Sequence, residues 1–270
     1  FEAKTFLSVI EGGTHGQIGK AETVTGKIGG EDVMVAIIGM GMPHAALRAK
    51  KVIEELRSKP PSGGNSRRYA PGLGAEEQRE ENTTTGGNNP KLKTRNPKLS
   101  SIRGVILAGF AGALHPDLKL EEIFVTAGAE YLLPLLPEAE RPRVAKLATV
   151  EKIAATAAGK KELFEQTGAE LVDMEQSHVA QVVQEFGLPF IGIRIVSDDA
   201  HADLPADTLS QSYNQETGEY TPWKLAGHLT RNPFKIATLA SFVRPLPSIR
   251  NRMSRHLHTW LMQTGPRLFR

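Results

Sequence analysis

The sequence predicts an α/β protein: three α/β/α layers around a mixed, mostly parallel central sheet. Three observations carry that expectation. Short β-branched or small-residue runs recur at residues 32–39, 104–109, 123–127, 144–150 and 190–196, bounded by glycine or polar residues as strands are. Stretches with apolar residues at three- and four-residue spacing lie among them, so strands and helices alternate. The run Phe190-Ile-Gly-Ile-Arg-Ile-Val196 is apolar on both faces, as a central strand covered on two sides must be.

Taken in order, Asp32-Val-Met-Val-Ala-Ile-Ile-Gly39 reads as strand and glycine turn, and Ala45, Ala49, Val52, Ile53 and Leu56 mark the buried face of a helix after it. From residue 58 to 100 the pattern gives way to Pro60-Pro61-Ser-Gly-Gly and Thr83-Thr-Thr-Gly-Gly-Asn-Asn-Pro90. This is expected to be a flexible insertion, because compact domains rarely hold structureless connections of such length. Gly104-Val-Ile-Leu-Ala-Gly109 resumes as a buried strand, followed by a glycine turn at Gly109-Phe-Ala-Gly112 and a strand at residues 123–127. Val179, Val182, Val183 and Phe186 mark a helix beginning near Met174. A loop after Asp207 leads to helix signals from Trp223 through Val243. A last amphipathic helix carries Ile249, Met253, Leu257, Trp260 and Leu261, with Arg250, Arg252 and Arg255 between them.

The net charge of +3 over 270 residues hides an asymmetry. Residues 1–219 hold all 30 acidic residues against 24 basic ones, whereas residues 220–270 hold nine basic residues and no acid. Two parts are expected: an α/β body over 1–219 with the insertion at 58–100, and a basic helical extension over 220–270. The absence of cysteine excludes a disulfide scaffold, an iron–sulfur cluster and a thiol nucleophile. No apolar run approaches the roughly 18 to 20 residues of a membrane span. With neither an initial Met nor a basic-then-apolar leader, the expected location is the cytoplasm.

Two acidic clusters close strand-like segments, where α/β sheets bind their ligands: Val172-Asp-Met-Glu175 and Ile195-Val-Ser-Asp-Asp199. Each alone reads as well as a helix cap or dipole partner. Together, Val172-Asp-Met-Glu-Gln176 and Leu188-Pro-Phe-Ile-Gly-Ile-Arg-Ile-Val-Ser-Asp-Asp-Ala200 resemble the paired signature of the nucleoside phosphorylase and nucleosidase family. That family includes purine nucleoside phosphorylases and methylthioadenosine/adenosylhomocysteine nucleosidases. Gly39-Met-Gly-Met-Pro-His-Ala-Ala46, Ala108-Gly-Phe-Ala-Gly-Ala113 and the opening Phe1-Glu-Ala-Lys agree in order. The later segments Gln166-Thr-Gly-Ala-Glu-Leu-Val-Asp-Met-Glu175, His201-Ala-Asp-Leu-Pro205 and Leu229-Thr-Arg-Asn-Pro233 are similar to the bacterial hopanoid-associated branch.

The resemblance implies cleavage of a purine N-glycosidic bond. The sugar then becomes oxocarbenium-like while the base departs as an anion unless protonated. Carried over residue by residue, Asp198 would protonate or hydrogen-bond the purine ring nitrogen, which asks for a carboxyl group able to hold a proton, as partial burial favours. Glu175 would bind the ribose hydroxyls, Met174 would lie against the sugar, and Glu2 would activate water. Ser197, Gly109, Phe110 and Ala111 would line the base and substrate pocket, and Gly39 and Gly41 a phosphate or water site. The purely structural alternatives are a cap for Asp198, a dipole partner for Glu175 and ordinary core for Met174.

Phosphorylases of the family supply an Arg and a hydroxyl to phosphate at positions occupied here by Leu107 and Phe110. Hydrolysis is therefore favoured over phosphorolysis, and Phe110 suits an apolar 5′ substituent. A nucleoside-binding protein without turnover is the remaining alternative. No cofactor is expected beyond inorganic phosphate for a phosphorylase, and no metal, since His115, His178 and His201 lack metal-site spacing. The resemblance implies a homo-oligomer. The basic last helix suits either an anionic membrane surface or packing, and an acidic body with few aromatics argues against nucleic acid.

Overall fold

The computed structural model describes residues 7, 10–38, 44–58, 102–211, 213–214, 219–220 and 222–270. Of the expected features, Glu2, Gly39, Gly41 and all but the first residue of the 58–100 insertion lie outside the described residues.

An antiparallel three-stranded sheet comes first, made of β1 (Glu11–Ile18), β2 (Ala21–Ile28) and β3 (Glu31–Ile37). Gly29 and Gly30 turn the chain between β2 and β3 with φ of 58° and 83°, the two-residue hairpin geometry that favours glycine. The glycine- and threonine-rich residues 11–28 carry little apolar alternation, which is why the sequence announces only β3. Helix α1 (His44–Ser58) then buries Ala45, Ala49, Val52 and Ile53.

The central sheet contains β4 (Val105–Ala113), β5 (Ile123–Ala127), β6 (Arg143–Val144), β7 (Leu147–Thr149), β8 (Leu171–Asp173) and β9 (Phe190–Asp198). Their order is β6-β5-β9-β4-β8-β7. The pairs β4–β9, β5–β6 and β7–β8 are parallel, while β5–β9 and β4–β8 are antiparallel. The sheet is therefore mixed with parallel pairs in the majority, as expected.

Residues 144–150, expected to form one strand, form parts of two with different partners. Val144 pairs with β5 at one edge of the sheet and Leu147 with β8 at the other. Six flat strands would hold those edges roughly 24 Å apart, whereas the step from Val144 to Leu147 spans at most about 11 Å. The sheet must curl. The linker supplies the closing bonds: Ala145 N donates to Val125 O (3.1 Å) and Leu171 N donates to Lys146 O (3.2 Å). Inside the curl, Ala111, Ala113, Phe124, Ala145, Leu171 and Val196 form one cluster drawn from β4, β5, β8, β9 and the linker.

A second correction concerns Gly109-Phe-Ala-Gly112, expected as a turn. It continues β4 without a break, because its backbone pairs with β9 along its length and with β8 at its end. Small residues serve close packing here rather than chain reversal.

Helices cover both faces. Helix α2 (Ala129–Leu132) is short, and α3 (Ala157–Thr167) is capped by Thr156, whose hydroxyl accepts from Gly159 N at 3.0 Å. Helix α4 (Gln176–Glu185) packs Val179, Val182 and Val183 against Ala45, Ala49 and Ile53 of α1. After α5 (Ala206–Gln211) and the small hairpin β10 (Tyr213–Asn214) and β11 (Glu219–Tyr220), the helical stretch expected over 223–243 is divided into α6 (Pro222–Arg231) and α7 (Lys235–Val243). Pro233 breaks it, having no N–H to donate and disfavouring helical geometry at Asn232. At the break the Asn232 side-chain Nδ2 donates to His228 O at 3.0 Å, and its backbone N donates to Leu229 O at 3.2 Å.

The last helix, α8 (Leu246–Thr264), is not peripheral. Ile249, Met253, Leu257 and Trp260 are buried in the main cluster with Val24 and Ile28 of β2 and Ile191, Ile193 and Ile195 of β9. The apolar stripe that could have met a membrane is turned onto the sheet. No helix among the described residues is long and apolar enough to cross a membrane.

Candidate active site

Strand β9 delivers Ser197 and Asp198 at its end, both buried, at 8% and 7% exposure. Asp198 is held from two sides. Its Oδ1 accepts from the Ser197 hydroxyl at 2.7 Å, and its Oδ2 accepts from the Lys160 ammonium at 2.6 Å. Ser197 Oγ also lies 3.3 Å from Ala111 O on β4. Across the sheet, Gly112 pairs with Asp198 on one side and Val172 on the other. A Cβ on Gly112 would fall 2.9 Å from Asp198 Oδ2 and 3.2 Å from Val172 Cγ1, so the close approach of three strands depends on this glycine.

Val172 leads through Asp173 into the second motif. Met174 and Glu175 form the turn between β8 and α4, each half-buried. Glu175 occupies the N-cap position of α4, yet its side chain makes no cap bond. Asp173 does that work: its Oδ2 accepts from Gln176 N at 3.0 Å. Asp173 is also tied sideways, with Thr149 Oγ1 donating to Oδ1 at 2.7 Å and Arg194 Nη2 donating to Oδ2 at 2.7 Å. Arg194 is 2% exposed and donates further to the carbonyls of Leu107 and Ile193. The Glu175 turn is thereby fixed to the same strand that ends in Asp198. Gly192 permits this contact, since a Cβ there would meet Gln176 Oε1 at 2.5 Å.

The structure thus brings Ser197, Asp198 and Ala111 together and links the Met174–Glu175 turn to them through Asp173 and Arg194. Gly109 lies within β4, and the Phe110 ring packs against the main core cluster. Leu107, where a phosphorylase would place its cation, packs against the α1–α4 cluster. Two open grooves, of about 630 Å³ beside α8 and about 410 Å³ beside α1, are lined by neither acidic motif. No group of three or more metal-ligating side chains occurs among the described residues.

Two polar residues went unnoticed in the sequence. Arg194 had a signal: one arginine in an otherwise apolar central strand must find a buried partner. Lys160 had none, since it stands next to Lys161, which is exposed and reaches Glu165 at 3.9 Å. In sequence the two are indistinguishable.

A family model described as the phosphorylase superfamily matches residues 1–133 and 138–219. The chain belongs to the phosphorylase superfamily. It is therefore an enzyme of the nucleosidase or nucleoside phosphorylase kind. Its fold is similar to that of the futalosine hydrolase of Helicobacter pylori strain 26695, with a TM-score of 0.61 and 15% identity over 96% of this chain and 92% of that one. It is likewise similar to the 5′-methylthioadenosine/S-adenosylhomocysteine nucleosidases of S. pneumoniae (TM-score 0.60, 12% identity, covering 97% and 94%) and Campylobacter jejuni (TM-score 0.60, 12% identity, covering 99% and 95%). At such identities the likeness is one of fold. No curated protein matches the chain.

Proposed function

We propose that this phosphorylase-superfamily enzyme hydrolyses the N-glycosidic bond of a purine nucleoside with an adenine-type base. One observation carries the reading: a buried carboxylate, Asp198, held by a hydroxyl and an ammonium at the end of the central strand, with the Glu175 turn tied to that strand through Asp173 and Arg194. Bond cleavage needs a proton donor at the departing base and an electron-rich group at the positive sugar. Asp198 is assigned to the base, with Ser197 beside it, and Glu175 and Met174 to the ribose. Glu2 is assigned to water.

Hydrolysis is favoured because the β4 positions at which phosphorylases bind phosphate carry Leu107 and Phe110, both engaged in packing. A specific observation supports phosphorolysis as the second reading. The smaller groove is lined by Lys20, His44, Arg48 and Lys51, a basic set among the described residues. The resemblance to the hopanoid-associated branch supports an apolar 5′ substituent. Any contact with an anionic surface would fall to exposed arginines such as Arg255, since the apolar stripe of α8 is in the core.

Adenine release from methylthioadenosine, adenosylhomocysteine and a 5′-alkyl adenosine, with and without phosphate, tests the reading. Release without phosphate is expected. Release only with phosphate selects phosphorolysis, and tight binding without release of base from any of the three overturns the enzymatic assignment.

A further inference from the structure

Lys160 occupies a place that surface lysines do not. It lies on α3 with no exposed side-chain area, and its ammonium donates to Asp198 Oδ2 (2.6 Å), Asp199 O (2.7 Å) and Ala202 O (3.1 Å). An ammonium has three donors, and all three are used. Such a pair is a poor device for stability alone, because apolar residues of similar volume usually serve a core as well or better. Its partner, moreover, is the carboxylate at which the candidate site is centred.

The two contacts on Asp198 differ in kind. Ser197 Oγ can donate to Asp198 Oδ1 or turn its hydrogen to Ala111 O, 3.3 Å away. It can therefore serve the carboxylate or the carboxylic acid. Lys160 can only donate, and its position suits the carboxylate. It sits where negative charge is left once Asp198 has given up a proton.

We infer that Lys160 is a positioning residue for departure of the base: it fixes the Asp198 carboxyl group and offsets the charge that Asp198 acquires as its proton passes to the purine. The inference rests on the nucleosidase reading. In that step the bond between C1′ and the purine nitrogen breaks with both electrons going to the base. The Asp198 proton bonds to a ring nitrogen, leaving Asp198 as carboxylate beside the Lys160 ammonium. Water adds its hydroxide to C1′, and its remaining proton returns through solvent to Asp198.

A double-mutant cycle on the full chain separates this role from a structural one. Base release from the best purine nucleoside is measured for the wild type, Lys160→Met, Asp198→Asn and the double variant. Lys160→Met should lower kcat about 100-fold, within the range of acid catalysis, with KM changing less than about threefold. In the Asp198→Asn background the same change should alter kcat less than about threefold, because its point of action is gone. The double variant also removes both charges, so it remains informative where Lys160→Met alone leaves a buried carboxylate that prevents folding. In that event Lys160→Arg, which keeps the charge, replaces it in the cycle, with a loss of about tenfold expected only when Asp198 is present. Equal losses in both backgrounds, or KM rising in step with the fall in kcat, would overturn the inference while leaving the nucleosidase reading intact. A wild type that releases no base from any nucleoside sinks the reading and the inference together.

Discussion

Arg194 and Asp173 form a closed pair beneath the Glu175 turn: Nη2 and Nε of the guanidinium approach the same carboxylate oxygen at 2.7 and 3.2 Å. That oxygen also accepts from the first amide of α4. One carboxylate thus caps the helix and anchors its start to β9.

Arg194→Met would leave the Asp173 charge buried without a cation. A loss of about 3–5 kcal/mol is expected, read by urea unfolding. Arg194→Met with Asp173→Asn should be more stable than Arg194→Met alone, because the orphaned charge is gone.

Asp198→Asn keeps the shape of the side chain and removes its proton chemistry. The value of kcat/KM for a purine nucleoside should fall about 10²- to 10⁴-fold, whereas the Kd of the nucleoside should change little. Parallel losses in rate and binding would argue for recognition rather than acid catalysis.

Gly112→Ala tests the closeness of the strands around Asp198. The added Cβ would press on Asp198 Oδ2 and Val172 Cγ1, and both must move by tenths of an ångström. A fall in kcat of about tenfold or more is expected, since small misplacements at a reacting group are costly. Far-UV circular dichroism should stay that of the wild type.

His256 gives the stability a pH dependence. Burial lowers its pKa below the usual 6.5, Arg252 and Arg255 lower it further, and Glu140 opposes them. The unfolded chain then binds the proton more readily, so stability is full above about pH 6.5 and declines as pH falls from there through the lower folded value. His256→Gln should flatten that part of the curve, measured as unfolding free energy between about pH 7.5 and 5.5.

Trp260→Ala should cost about 3–5 kcal/mol, because Trp260 is 3% exposed and packs in the cluster that β2, β9 and α8 share. A much smaller loss in calorimetry would show that α8 is only loosely attached.

Local pattern made much of the architecture readable. The β-branched run of β9, the valines of α4 and the apolar stripe of α8 all announced buried faces, and the Met174–Glu175 and Ser197–Asp198 motifs lay at strand ends, as expected. What escaped notice depends on partners distant in sequence. Gly109-Phe-Ala-Gly112 looks like a turn until β8 and β9 pair with it, and residues 144–150 look like one strand until two different neighbours divide it. Lys160 is 38 residues from Asp198, and its own helix gives no sign of which lysine is buried.

The two-residue crossing at Ala145 and Lys146 bears on how the molecule comes apart. An open sheet can lose its outermost strand and retain the rest, but here the hydrogen bonds at Val125 and Leu171 run through one short linker. Releasing either strand slackens the other, so amide exchange in β5 and β8 should report a single opening event rather than separate fraying.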